Sequence, residues 1–140
     1  MNLFIQNIVE SQKVFILEHK EEIASVSSIS FKNDVGEPVP VICFWSNKDL
    51  AKAGLDKVWN NYRIIDICLA TFIEDYLVNI YNESLIVGLN YNEFLEGTEA
   101  DPLDVIAALI DALNLKKLDL EFEYFKNIND LQNQLKKLIS

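Results

Sequence analysis

The spacing of apolar residues alternates along this chain between the period of a helix and the period of a strand. The clearest helical pattern is a stripe of apolar side chains three and four residues apart, formed by Leu69, Phe72, Ile73, Tyr76, Leu77 and Ile80. The clearest strand pattern is LDLEFEY, Leu118 to Tyr124, in which apolar and acidic residues strictly alternate. A chain that mixes both periods predicts helices packed on a sheet.

The N-terminal third predicts a three-stranded antiparallel meander. VFIL (Val14 to Leu17) predicts a buried strand, IASVSSISF predicts a strand with a bulge near Ser27, and VPVICF follows the turn signal NDVG. Pro40 has no amide hydrogen, so we expect it at a sheet edge or at the start of its strand. YRIIDI predicts a buried strand and SLIVGLNY predicts another strand, in which Gly88 indicates a bulge or a close backbone approach.

Four more segments have a helical period and lie near residues 2–12, 47–58, 101–113 and 128–138. Ser46 or Asn47 is suited to cap the second of these helices. Asp101, Pro102 and Asp104 have the order of an N-cap, a first helical residue and an acid in the first turn. The sequence therefore predicts where these helices begin.

Together these elements predict a single α+β domain over residues 1–140, with a mostly antiparallel sheet and helices packed on it. Residues 116–140 are expected to be a C-terminal strand and helix of the same domain. A chain of 140 residues has the size of one ordinary domain, and 50% hydrophobic residues suffice for a core. No apolar run is long enough for a membrane helix and the N-terminus lacks a basic leader, so we expect a cytoplasmic protein.

Charge restricts the partners most strongly. With 22 acidic and 12 basic residues the net charge is −10, which disfavours nucleic acids and anionic membranes as partners. No Lys or Arg occurs between Ile64 and Leu115, while ten acids do: Asp66, Glu74, Asp75, Glu83, Glu93, Glu96, Glu99, Asp101, Asp104 and Asp111. This separation of charge indicates a surface for a basic partner.

The densest acidic stretch is NYNEFLEGTEADPLDV, Asn90 to Val105. A calcium loop of the EF-hand type is disfavoured, because Tyr91 and Phe94 occupy ligand positions and no Glu stands at the twelfth. A catalytic pair of carboxylates stays open, since any acidic chain supplies candidates. The stretch is otherwise a solvated face or a docking surface, for which the candidate residues are Glu93, Glu96, Glu99, Asp104, Glu74 and Asp75.

The sequence contains no specific catalytic or metal-binding motif. His19 is the only histidine, and Cys43 and Cys68 both lie in apolar stretches, where a cysteine packs as a small hydrophobe and no thiolate is favoured. We therefore expect no catalytic residue, metal ligand or cofactor. Four aromatic residues either belong to the core or line a ligand pocket: Trp45, Trp59, Tyr62 and Tyr91.

The chain from about Val39 to Leu109 resembles the bacterial family known only as domain of unknown function 2750. The resemblance rests on Val-Pro-Val before Trp45 and on a series of residues in the same order: Leu50, Ala51, Trp59, Tyr62, Leu69, Phe72, Glu74, Leu77, Val87, Gly88, Asn90, Leu95, Gly97 and Pro102. It extends loosely to the N-terminus and excludes the segment after Leu115. It implies a compact α+β bacterial protein and brings no established activity.

Small acidic α+β proteins of bacteria often serve as immunity proteins, which neutralise toxins. By this analogy we expect a non-enzymatic binding protein that blocks a basic, nuclease-like toxin domain through its acidic surface. Two further hypotheses stay open: a small-ligand binder or enzyme that uses the aromatic pocket named above, and a housekeeping bacterial protein. The sequence predicts no oligomeric state.

Overall fold

The computed structural model describes residues 1–139, and within them it contains five helices and seven strands. The helices are α1 (Asn2–Ser11), α2 (Lys48–Lys57), α3 (the continuous segments Leu69–Thr71, Phe72–Leu77 and Val78–Asn82), α4 (Pro102–Leu115) and α5 (Ile128–Ile139). The strands are β1 (Lys13–His19), β2 (Glu22–Ile23), β3 (Ser25–Lys32), β4 (Pro38–Phe44), β5 (Arg63–Cys68), β6 (Ile86–Leu89) and β7 (Thr98–Ala100). The predicted α+β class is confirmed.

The strands form two mostly antiparallel sheets that meet at one bridge. The first has the strand order β2-β1-β5, and the second has the order β3-β4-β6-β7, in which only β4 and β6 run parallel within the described residues. Phe15 of β1 and Trp45, directly after β4, exchange two backbone hydrogen bonds with N···O distances of 2.8 and 2.9 Å. This reciprocal pair ties the two sheets together.

The predicted meander is confirmed in the antiparallel pairing of its consecutive segments, but it is divided between the two sheets. β1 pairs with β2 and β5, whereas β3 pairs with β4 in the other sheet. Ala24 carries the chain between the sheets, because its N–H donates to Leu17 and its carbonyl accepts from Cys43, at 2.9 and 3.0 Å. The bulge predicted near Ser27 is confirmed by a register shift between Ser27 and Lys32.

Two residues of the second sheet test the sequence signals of proline and glycine. β4 is an interior strand that begins at Pro38, so both positions expected for Pro40, a sheet edge and the start of the strand, are wrong. Pro40 precedes the first β4–β6 pair, which joins Val41 to Ile86. Gly88 is confirmed as a close approach, because a Cβ there would lie 2.8 Å from the side chain of Val41 and 2.9 Å from the Tyr91 ring.

In the first sheet, β5 is an edge strand and only half-buried, in contrast to the buried strand predicted.

The helices begin where the sequence predicts. The side chain of Asn47 accepts the N–H of Leu50 at 2.9 Å, and that of Asp101 accepts the N–H of Leu103 at 2.8 Å. The stripe from residue 69 to residue 80 lies on α3, whose middle segment Phe72–Leu77 is π-helical. These helices bury a large apolar cluster against β1, β4 and β6, and a smaller cluster lies under α2.

The strand predicted for Leu118–Tyr124 is wrong, because this segment is irregular and pairs with no strand of the described chain. Its end is held by a side chain instead. The carboxylate of Glu74 on α3 accepts the backbone N–H groups of residues 123–125 at 2.8 to 3.2 Å. Leu120 and Phe122 are half-buried against the larger cluster, whereas Leu118 and Tyr124 are exposed, so the alternation indicates the inward side chains only in the middle of the segment.

We expect Glu74→Ala to lower the free energy of unfolding by about 2–4 kcal/mol, because three amides lose a buried, charged acceptor. Asp75→Ala is the matched control: its carboxylate is exposed and the neighbouring position should cost less than about 0.5 kcal/mol. Urea unfolding monitored by circular dichroism measures both. Equal losses for the two variants would contradict a structural role for the Glu74 carboxylate.

Candidate interaction site

The acidic stretch forms the connection between β6 and β7, and two asparagines fix its shape. Residues 92–97, here called the acidic loop, are closed by the side chain of Asn92, which accepts the N–H groups of Phe94 and Glu96 at 2.9 and 3.1 Å. Asn90 at its base accepts the N–H of Ser46 and donates to the Ser46 hydroxyl, at 2.9 and 3.1 Å. The loop is therefore braced from within and from the end of β4.

The tip of the acidic loop presents two large apolar side chains between two carboxylates. Phe94 is 73% exposed and Leu95 is 44% exposed, and Glu93 and Glu96 on either side are also exposed. Leu95 has a φ of 60°, in the left-handed region that a bulky residue rarely adopts. These exposed apolar groups on a constrained backbone make the tip a candidate for contact with another molecule.

A groove of about 470 Å³ runs between the acidic loop and β3. Val26, Ser27 and Ile29 line its β3 side; Tyr91, Leu95, Glu96, Gly97 and Glu99 line the other. Ile29 is 94% exposed, so the groove has a solvated apolar rim on the strand side as well. The acidic loop and the edge of β3 thus form one concave surface that is both apolar and acidic.

Glu99 joins the two sides of this groove. Its carboxylate accepts the hydroxyl of Ser28 and, at 2.9 Å, the N–H of Ile29. The Ser28 oxygen in turn accepts the N–H groups of Ser30 and Phe31 at 3.1 and 2.8 Å. Because β3 and β7 are the two outer strands of the second sheet, Glu99 closes that sheet across the bulge of β3.

The floor of the groove rests on Tyr91, whose ring packs on two glycines. A Cβ at Gly97 would lie 2.4 Å from that ring, so only glycine fits there. Burial first, and the negative charge of Glu99 second, raise the pKa of the Tyr91 hydroxyl to about 12. The hydroxyl, which an ordinary tyrosine also keeps protonated at neutral pH, therefore resists ionisation to a still higher pH.

The aromatic residues considered as a pocket are mostly packed into the core. The rings of Trp45 and Trp59 meet edge to face at 5.6 Å, and Trp45 is fully buried with its indole N–H donated to the Tyr91 carbonyl at 2.8 Å. Tyr62 is half-buried, with its ring 5.5 Å from that of His19. Of the four, Tyr91 is the one that lines the groove described above.

The acids selected from the sequence do not share one location. Glu93 and Glu96 lie exposed on the acidic loop, and Asp104 and Asp75 lie exposed on α4 and α3. Glu74 is buried beneath residues 123–125, so its inclusion in an exposed acidic surface has to be corrected. The physical reason is that its carboxylate is already used by three backbone amides.

Sequence reasoning missed the apolar half of this surface. The charges in NEFLEG were considered, but Phe94 and Leu95 were not. Two large apolar residues in a turn that has neither helical nor strand periodicity could have predicted an exposed apolar group. Ile29 carried no such signal, since it lies in a segment with strand periodicity. Its exposure follows from the bulge of β3, which only the pairing with β4 defines.

Metal-binding and membrane-spanning features are also relevant to function. Within residues 1–139 no three His, Cys, Asp or Glu side chains are grouped closely enough to hold a metal ion. In the same residues, none of the helices combines the length and the apolar character needed to cross a bilayer.

The two cysteines differ in a way that the sequence did not indicate. Both are free, but Cys43 is buried whereas Cys68 is exposed at the start of α3. Burial raises the pKa of the Cys43 thiol to about 12. Hydrogen bonds from Thr71, whose side chain lies 3.1 Å from the sulfur, lower the pKa of the Cys68 thiol. The surroundings of Cys68 thus favour its thiolate more than those of Cys43 do.

We expect a thiol reagent such as iodoacetamide to modify Cys68 in the folded protein and to leave Cys43 unmodified until the chain unfolds. A lower pKa means more thiolate at a given pH, so the rate at Cys68 should already rise below the pH at which an ordinary cysteine ionises. Peptide mass spectrometry over a pH series measures this, with Cys68→Ser as the control. Equal labelling of both residues in native protein would refute the assignment.

Comparison with known proteins places the fold in a family. The family model described as Protein of unknown function (DUF2750) matches residues 1–109, which include both sheets, the acidic loop and the groove. Residues 110–140, with the end of α4 and the whole of α5, lie outside the match. No curated protein matches the chain. With most of its length matched, this chain belongs to the DUF2750 family.

Proposed function

We propose that this chain is a non-enzymatic binding protein that blocks a basic protein partner through the acidic loop and the adjoining groove. In its most specific form, it is an immunity protein that neutralises a nuclease-like toxin in the bacterial cytoplasm. The observation that supports this most is Phe94, which stands 73% exposed between two exposed glutamates on a loop braced by Asn92.

The apolar part of the surface supplies binding energy. Protein interfaces concentrate their affinity in a few central anchors, often aromatic, that are surrounded by a polar rim. Phe94 has the chemistry of such an anchor, and Leu95 and Ile29 extend the apolar area along the groove. Because the side chain of Asn92 already holds the loop, little backbone entropy is lost when a partner binds.

The acidic part of the surface supplies attraction and selectivity. A nuclease presents a cationic cleft because it must hold phosphate, and an acidic protein can occupy that cleft in place of the nucleic acid. Glu93 and Glu96 meet no competing cation within their own segment, since no Lys or Arg occurs between Ile64 and Leu115. Their charge therefore remains available to a partner.

The titratable groups of the groove favour binding over catalysis. The Tyr91 hydroxyl is protonated at neutral pH, as in any tyrosine, and burial raises its pKa further, to about 12. The Glu99 carboxylate already accepts hydrogen bonds from Ser28 and Ile29. A general base needs a free acceptor, whereas the tyrosine carries its proton and the Glu99 carboxylate is occupied by these hydrogen bonds.

The direct experiment identifies the partner and then tests inhibition. Immobilised wild-type chain is compared with the triple variant Glu93→Lys, Phe94→Ala and Glu96→Lys for capture of proteins from source cells. We expect a basic protein that only the wild type retains and whose toxic activity disappears when the purified chain is added at equal concentration. Identical captured sets, or a captured protein whose activity persists, would contradict the proposal.

Charge reversal should act mainly on the association rate. We expect Glu96→Lys to slow association with this partner several-fold at low salt, and the difference should shrink above ~0.15 M salt, where screening acts within about 8 Å. Glu10→Lys, an exposed acid on α1, changes net charge equally and is the matched control. Stopped-flow mixing or surface plasmon resonance measures the association rates of both variants. If the two variants behave alike, only overall charge matters and the acidic loop is not the contact.

Truncation of the anchor should act mainly on dissociation. We expect Phe94→Ala to weaken binding by about 2 kcal/mol or more, roughly 30-fold in Kd, without loss of stability, because the ring is exposed in the free chain. Leu115→Ala removes a side chain that is 85% exposed on α4 and serves as the control. Calorimetric titration gives both constants. An unchanged Kd for Phe94→Ala would leave the interface without its proposed centre.

A further inference from the structure

A second concave site, distinct from the groove, lies between α3, α4 and α5. It is a cavity of about 160 Å³ that shares no lining residue with the groove beside the acidic loop. Its walls include Val78 and Tyr81 of α3, Leu103 and Ile106 of α4, Phe125, and Leu135 of α5. Neither the family match nor the proposed docking surface accounts for it.

The cavity has its walls in two parts of the chain. α3 and the first turns of α4 belong to the segment that matches the family, whereas Phe125 and α5 come from residues beyond the match. Glu74 fixes the backbone of residue 125, and Ile128 buries the first turn of α5 in the main apolar cluster. These attachments set where α5 begins, and the space remains between α5 and the two helices it covers.

The lining determines what chemistry fits. It is apolar except for Tyr81, Asn82 and Gln134, and none of the lining residues carries a charge. A charged ligand would lose its hydration there without gaining a counterion, which disfavours ions. The space is open to solvent on one side, where Asn82, Gln134 and Leu138 are exposed. Its volume is close to that of an engineered apolar cavity of about 150 Å³ in another protein that binds benzene, so a ring of that order fits.

We propose that this cavity binds a small uncharged molecule, apolar over most of its surface, with one group that hydrogen-bonds to Tyr81, Asn82 or Gln134. A single aromatic ring or a short branched chain has this chemistry, and indole is a suitable probe because it combines an apolar ring system with one N–H donor. The site would connect ligand binding to the position of α5, since α5 forms one wall.

The first test measures thermal unfolding of the full chain with indole. A ligand that binds only the folded state raises Tm, and we expect a rise of roughly 3 to 6 °C at about ten times the Kd. Val78→Phe places a ring in the cavity and should abolish the rise. Leu115→Phe adds a ring on α4 at a residue that is 85% exposed, and should preserve it.

The second test does not depend on any variant remaining folded. Methyl NMR of the wild-type chain during an indole titration should show shifts concentrated at Val78, Leu103, Ile106 and Leu135. The proposal is overturned if indole up to roughly 1 mM causes no Tm rise, if folded Val78→Phe responds as the wild type does, or if the methyl shifts lie outside the cavity. Shifts at the cavity methyls together with a Tm rise support it.

Discussion

The reciprocal hydrogen bonds between Phe15 and Trp45 are the constraint on which the placement of the acidic loop depends. They join β1 to the end of β4 and so fix the two sheets against each other. The indole N–H of Trp45 then reaches the Tyr91 carbonyl, while the N–H of Asn90 donates to the Phe44 carbonyl at 2.9 Å. The residue that joins the sheets therefore also anchors the base of the loop that forms the candidate interaction site.

Signals that act within a few residues were predicted correctly from the sequence, and signals that depend on distant partners were not. The caps Asn47 and Asp101 follow from local chemistry. The pairing of β1 with β5 was not predicted, because the apolar period of a strand is the same whichever strand lies beside it. LDLEFEY shows the same limit. Its alternation does not identify Glu74, which lies far away in the sequence and accepts the backbone N–H groups at the end of this segment.

In the candidate site, too, the sequence predicts the local charge but not the tertiary partners of each carboxylate. A run of acids predicts negative charge near residues 93–104, but it does not separate carboxylates that face solvent from those that the fold uses. Glu93 and Glu96 are exposed, whereas Glu99 holds β3 and Glu74 holds the C-terminal segment. All four are the same residue type, and the difference lies in which backbone N–H groups the tertiary structure brings to each carboxylate.

Glu74 links the part of the chain that matches the family to the part that does not. The match ends at residue 109, within α4, so Glu74 belongs to the matched part while the amides that it accepts belong to the segment beyond it. A carboxylate buried without partners is costly, and so is the apolar surface of α3 and α4 when α5 does not cover it. In a chain without residues 110–140 this carboxylate would be hydrated by solvent, whereas the apolar surface of α3 and α4 would still need a cover, from a different segment or from a second protein.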